Sequence, residues 1–440
     1  MELLQNEEYK KEEMKKMLKA IQAGENVEEL KKKFKDLLQS ISPLEIPVVE
    51  QELVMEGVTP AEIAAMCDIH VEIFRESVTG AGKFDKLPSG HPLKTLSDEN
   101  KEIIKITEVL KLYARSLANA PDDKTKQNLI QSIKNILKDL SDIRKHYERE
   151  EMLIFPYLER RGITSVPTVL WTKHDEIRYA IRVLSKLFER ADTVSNFVSR
   201  VQKRVDELIE ALVDMTFRED NILYPTLSFL LSEGEWVAIK EQEPDIGYFK
   251  VTPGDEWKPS AKPLHVYEVD PKIPVEKMLS IPDEVKTAIM NQESLMPDDY
   301  ELVREGDIDL GTGFLSVKEL IEIFKILPVD ISFIDKDDRV RFFSNGPHRI
   351  FGRSPSILGR KVHQCHPPKS VHIVDKILKG FKSGERKKAE FWIQFMGRFI
   401  YIKYLPIFDN ENNYIGTIEI TQDITDLRKL EGQKRLLDWK

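Results

Sequence analysis

Two acidic pairs in this chain stand in nearly the same surroundings. Arg149-Glu150-Glu151 runs into Met152-Leu153-Ile154-Phe155-Pro156, and 69 residues later Arg218-Glu219-Asp220 runs into Asn221-Ile222-Leu223-Tyr224-Pro225. His146 lies four residues before Glu150, a spacing that puts both on one face of a helix. His174 falls between the two copies. Imidazole and carboxylate together suit iron, manganese or zinc. Helices that face carboxylates toward one another can hold two such ions. A lone His-x-x-x-Glu pair is usually a solvated surface pair. Two acidic pairs at equivalent places, each ahead of an apolar run, are poorly explained by solvation. The candidate ligands are therefore His146, Glu150, His174 and Glu219.

Such residues need long helices, and the apolar spacing supplies four, over 92–117, 123–160, 166–190 and 195–231. The short gaps favour antiparallel neighbours in an up-down four-helix bundle. Pro156 and Pro225 fall near the ends of the second and fourth stretches, where a missing donor kinks or closes a helix. The bundle spans 88–235. Ahead of it, 1–80 reads as an all-α domain of short helices. Ser42-Pro43 and Thr59-Pro60 mark helix starts, and one helix carries Cys67 and His70. Eight prolines crowd 244–300, so 236–314 reads as a proline-rich connector with one short helix near 283–291. Tyr248, Trp257 and Tyr267 suggest that this connector packs on something. From 315 the pattern mixes a helix (317–327) with strands at 330–335, 339–344, 389–394, 398–406 and 414–421, an α/β domain with an antiparallel sheet. A short amphipathic exit helix is expected over 427–440.

Composition limits the partners. The 440 residues carry 66 Lys+Arg against 75 Asp+Glu, a net charge of −9, which argues against nucleic acid. No apolar run approaches a membrane span. The N-terminus lacks the basic and apolar regions of a signal peptide. Only Cys67 and Cys365 occur, so no disulfide framework is expected and a reducing cytoplasm fits.

Three resemblances follow from these residues. His146-Tyr147-Glu148-Arg149-Glu150-Glu151 with Ile154-Phe155-Pro156, Lys173-His174-Asp175-Glu176, and Arg218-Glu219-Asp220 with Leu223-Tyr224-Pro225 resemble the helix motifs of the hemerythrin-like (HHE) cation-binding domain. That resemblance implies a non-haem iron site, mono- or dinuclear, that binds dioxygen or responds to nitric oxide, peroxide or iron. Three usual histidine positions of the family are occupied by Asn100, Arg178 and Met215. His91 and His70 are the available replacements. Ser42-Pro43-Leu44-Glu45-Ile46, Glu52 to Gly57 and Cys67-Asp68-Ile69-His70 resemble a domain of unknown function (family 438). Residues 315–426, ending in Asp423-Ile424-Thr425, resemble a PAS sensor domain. Cys365, His366 and His372 are its candidate cofactor residues.

The combination implies a cytoplasmic sensor or regulator. Its iron site would respond to oxygen, nitric oxide or redox state, and its PAS domain would add an input or a homodimer contact. Output is expected through an unidentified downstream protein. A diiron oxidase or peroxidase, or an iron-handling or repair protein, is the enzymatic alternative, and a structural bundle with a degenerate metal site is the third.

Overall fold

A computed structural model describes residues 7–23, 25, 29, 32, 33, 57, 58, 83–191, 197–272, 298–347 and 349–435. The chain divides into two compact units, Met1–Tyr300 and Glu301–Lys440. His70 and Cys67 lie outside the described residues, as does the short helix expected near 283–291. Of the first eighty residues one helix is described, α1 (Glu7–Gln22).

Four long helical runs dominate the first unit. Helix α2 (Pro92–Ala118) starts on a proline, whose missing N–H costs nothing in the first turn. Helix α3 (123–160) is capped by Asp122, which accepts from the Thr125 N–H at 2.8 Å. It passes through a 3-10 turn (Ser141–Ile143) and a π turn (Glu150–Ile154) before ending at Arg160. Helix α4 is Ser165–Glu189. Helix α5 (197–230) contains a second π turn, Glu219–Leu223. Helix α2 packs on α3 and α5, and α4 packs on the same two, so the four close a ring. Ile103, Leu110, Ile133, Leu137, Ile181, Leu184, Leu208 and Leu212 fill its middle. Each such side chain contributes roughly 1.5–3 kcal/mol by leaving water.

The proline-rich segment departs from expectation. It opens with a helix, α6 (Glu233–Ile246), held by a capping box between Ser232 and Glu235. The chain then straps back over the bundle. Phe249 is fully buried, Trp257 N–H donates to Ser89 O at 2.9 Å, and Tyr157 OH donates to Leu264 O at 2.9 Å. Gly90 has φ +88°, and a side chain there would start 2.2 Å from Gly254 O. Only glycine lets strap and bundle approach this closely.

In the second unit a two-stranded hairpin, β1 (Asp307–Asp309) and β2 (Phe314–Ser316), leads into helix α7 (Val317–Ile326). Strands β3 (Asp330–Asp335), β4 (Val340–Phe343), β5 (Ala389–Phe395), β6 (Arg398–Phe408) and β7 (Tyr414–Asp423) form one antiparallel sheet, in the order β4-β3-β7-β6-β5. Helix α8 (Pro368–Lys382) packs over β6 and β7. The expected exit helix is corrected. After a single turn at Leu427–Lys429 the chain is non-helical through residue 435. Leu427 and Leu430 are exposed, so no apolar face is buried to hold a helix that short together. Among the described residues no helix is long and apolar enough to cross a membrane.

Candidate metal centre

The two acidic repeats are the two π turns. Phe155 N–H bonds to Glu150 O, and Tyr224 N–H bonds to Glu219 O, each five residues back. Pro156 and Pro225 follow at once. A proline has no N–H for the ordinary bond and its ring would strike the carbonyl four residues earlier, so the turn widens and the helix continues. The wider turn changes which side chains face inward. Glu150 and Glu151 are consecutive, yet both are buried.

Four side chains meet in the interior. His146 Nε2 lies 3.7 Å from Glu150 Oε1 and 3.4 Å from Glu219 Oε2. His174 Nε2 lies 3.4 Å from Glu150 Oε2 and 3.9 Å from Glu219 Oε1. Each carboxylate thus turns one oxygen to each imidazole. All four residues are fully buried. Both Nε2 atoms, Glu150 Oε2 and both Glu219 oxygens have no hydrogen-bond partner. Leaving a buried polar atom unpaired costs about 1–3 kcal/mol. Five such atoms converging is the arrangement a cation would resolve. His146, Glu150 and Glu219 can each offer a ligand atom within 4.8 Å of the others.

A second layer orients the rings. His146 Nδ1 meets Glu99 Oε2 at 2.6 Å, and His174 Nδ1 meets Glu151 Oε1 at 2.8 Å. Each carboxylate fixes the tautomer that leaves Nε2 bare for a metal. Arg178 pairs with Glu151 at 2.7 Å, and Arg149 pairs with Glu99. Tyr224 OH donates to Glu150 Oε1 at 3.0 Å. Tyr147 stacks on the His174 ring with centroids 4.0 Å apart. Sequence reasoning missed Glu99, Glu151, Tyr147 and Tyr224 as parts of the site. The acid after each repeat's first glutamate was the available signal: Glu151 props His174, and Asp220 accepts from Asn100 at 3.2 Å.

Comparison with known proteins agrees. Residues 91–227 match the hemerythrin HHE cation-binding domain. The bundle is a hemerythrin domain. Residues 14–80 match a family of unknown function (family 438), and residues 320–425 match a PAS domain. No curated protein matches the chain. Among solved structures, a C-terminal domain from Streptococcus mutans is 32% identical, over 29% of this chain and 100% of that one, with TM-score 0.28. The PAS domain of a Colwellia psychrerythraea protein is 19% identical, over 25% of this chain and 98% of that one, with TM-score 0.21. A sensory box sensor histidine kinase from Vibrio cholerae is 13% identical, over 24% and 90%, with TM-score 0.20.

The residues that replace usual histidines of the hemerythrin domain have other work. Asn100 donates to Asp220 and to Tyr224 OH, Arg178 neutralises Glu151, and Met215 is buried in the apolar core. His91 is not gathered with the four central residues. It caps α2, its Nδ1 accepting from Leu93 N–H at 3.1 Å, and its ring lies against Trp236 and Trp257. Burial pushes its pKa down to about 4, so it sits there neutral. In the second unit the three cofactor candidates do not converge. Cys365 is exposed, and His372 borders a surface groove with Asp375. His366 donates from Nδ1 to Val362 O and lines a cavity of about 190 Å³ with Ile334, Phe391 and Tyr404.

Charge within the hemerythrin domain is balanced by protons when no cation is bound. Burial alone would lower the pKa of His146, but Glu219, Glu99 and Glu150 outweigh it and raise it to about 10. His174 is likewise opposed by burial but lifted to about 9 by Glu150, Glu151 and Glu219. Burial and the neighbouring Glu219 raise Glu150, whereas His146 and His174 overcome burial to lower Glu219. Both imidazoles bind protons more tightly folded than unfolded, where the pKa is about 6.5. Their stabilisation is full below about pH 6.5 and is lost as pH rises through about 9 and 10. Chelator-stripped protein should therefore melt at falling temperatures from pH 6.5 upward. The His146→Gln/His174→Gln double variant should show a flatter profile, and identical profiles would contradict this balance.

Proposed function

We propose that this protein is a sensor or regulatory protein whose hemerythrin domain holds two non-haem iron ions. His146, His174, Glu150 and Glu219 would hold them. The observation that carries this reading is the set of five buried nitrogen and oxygen atoms, none with a hydrogen-bond partner, between two imidazoles and two carboxylates. Their chemistry fits the group, since imidazole and carboxylate are ordinary iron ligands. Bound iron would supply a redox-active centre with coordination positions open to a small diatomic ligand.

The chain's own residues do the rest. Glu99 and Glu151 hold the ring tautomers, and Tyr224 anchors Glu150. Tyr147 and Phe155 cover His174 with apolar surface and restrict water. The site responds to oxygen, nitric oxide or redox state, and the PAS domain adds a second input or a homodimer contact. Output passes to a downstream protein. The test is spectroscopic. Protein loaded anaerobically with ferrous iron should change its visible and electron-paramagnetic spectra on addition of nitric oxide or oxygen. Spectra unmoved by either gas and by added oxidant would contradict a sensing role.

A further inference from the structure

The buried network around His146 does not end inside the matched cation-binding domain. Glu99 is its hub. One carboxylate oxygen, Oε2, takes His146 Nδ1 at 2.6 Å and an Arg149 guanidinium N–H. The other, Oε1, takes the backbone N–H of Phe249 at 2.6 Å. Arg149 extends a second arm, donating to Glu243 Oε1 at 2.9 Å and lying 4.9 Å over the Tyr248 ring. Glu243, Tyr248 and Phe249 belong to α6 and the strap. In sequence these residues lie beyond 91–227 and ahead of the PAS match at 320–425. The segment leading from one domain to the next is therefore fastened to the carboxylate that orients a metal-ligand histidine. Every link in the chain is buried except Tyr248, which is half-buried.

We propose that this clamp reports occupancy of the metal site: a cation on His146 Nε2 tightens the hold of α6 and the strap, and its loss loosens them. The proposal rests on the reading of His146 as a ligand. A cation would satisfy the partnerless atoms around Nε2 and fix the ring where Nδ1–H meets Glu99. Without one, no ligand bond holds Nε2 in place, and any turn of the ring withdraws the donor from Glu99. Glu99 then loses the position that receives Phe249 N–H and Arg149 together. Linkage makes the effect reciprocal, so weakening the clamp must weaken metal binding.

Hydrogen exchange on the full chain tests this directly. The Phe249 amide should exchange at least about ten-fold more slowly in ferrous-loaded than in chelator-stripped protein. Equal rates in the two states overturn the proposal. As the reciprocal arm, Glu243→Gln should weaken ferrous iron binding about ten-fold, within the range for partners of metal ligands. Lys250→Ala, on the same strap but with its ammonium on the surface Asp139 at 2.6 Å, should leave binding unchanged. Wild-type affinity in Glu243→Gln also overturns the proposal. If that variant fails to fold, the wild-type exchange rates decide alone. Wild-type protein that takes up no iron overturns the metal reading itself, whereas iron uptake with unchanged exchange overturns only the clamp.

Discussion

Glu219→Gln is expected to weaken iron binding by more than about 100-fold, beyond the 10–100-fold typical of a residue that only supports a ligand. Both Glu219 oxygens are buried and partnerless, and one faces each imidazole. The amide keeps the shape but removes the charge and turns one acceptor into a donor pointed at the space between the imidazoles. Glu151→Gln is the matched comparison. Glu151 touches His174 Nδ1 and Arg178 rather than the central space, so its loss should fall within the smaller range. Competition with a chelator of known affinity separates the two. Equal losses would mean that Glu219 is not a ligand. The same change should also blunt the pH dependence of the stripped protein, because Glu219 is the first charge that raises His146.

Arg149→Met is expected to destabilise the first unit by about 3–5 kcal/mol, the cost of removing one partner from a buried ion pair. Arg149 is 1% exposed and bridges Glu99 and Glu243, both buried. Methionine keeps much of the length and apolar stem, so the loss isolates the charge rather than the packing. Two carboxylates are left without their guanidinium, and burial already pushes Glu243 up to about 7 with Arg149 opposing it. Denaturant unfolding measures the difference. A change under about 1 kcal/mol would show that the pair is relaxed by water and carries little strain.

The helices and strands were legible because their apolar residues recur at the right period. Ile103, Leu110 and Leu117 repeat along α2, and Ile400 and Ile402, two residues apart, are the buried positions of β6. His146, Glu150 and Glu219 were legible from four-residue spacing and the repeat, and His174 from its place on the helix between the two copies. The π turns were not. A proline near a helix end predicts a kink or a stop, whereas here a widened turn relieves the proline and the helix continues. Glu151 is buried beside Glu150 in that widened turn, where it meets His174 Nδ1. Glu99 was hidden for another reason. Its partners, His146, Arg149 and the Phe249 N–H, lie 47 to 150 residues away. Helix α6 was obscured by the prolines around it; Pro244 falls within its last turn, where the helix survives on its capping box and on Trp236 and Ile239 in the core. Over the described part of the expected exit helix the opposite holds, since Leu427 and Leu430 suit the pattern but are exposed.

The proposed function places two irons among these two imidazoles and two carboxylates. Iron counted per chain, in protein reconstituted anaerobically and freed of loosely bound metal, tests it most directly. The account predicts about two irons per wild-type chain, as facing carboxylates on bundle helices allow, with the Glu219→Gln variant close to none. A wild-type chain that retains none, or a Glu219→Gln chain that retains as much as wild type, would contradict it.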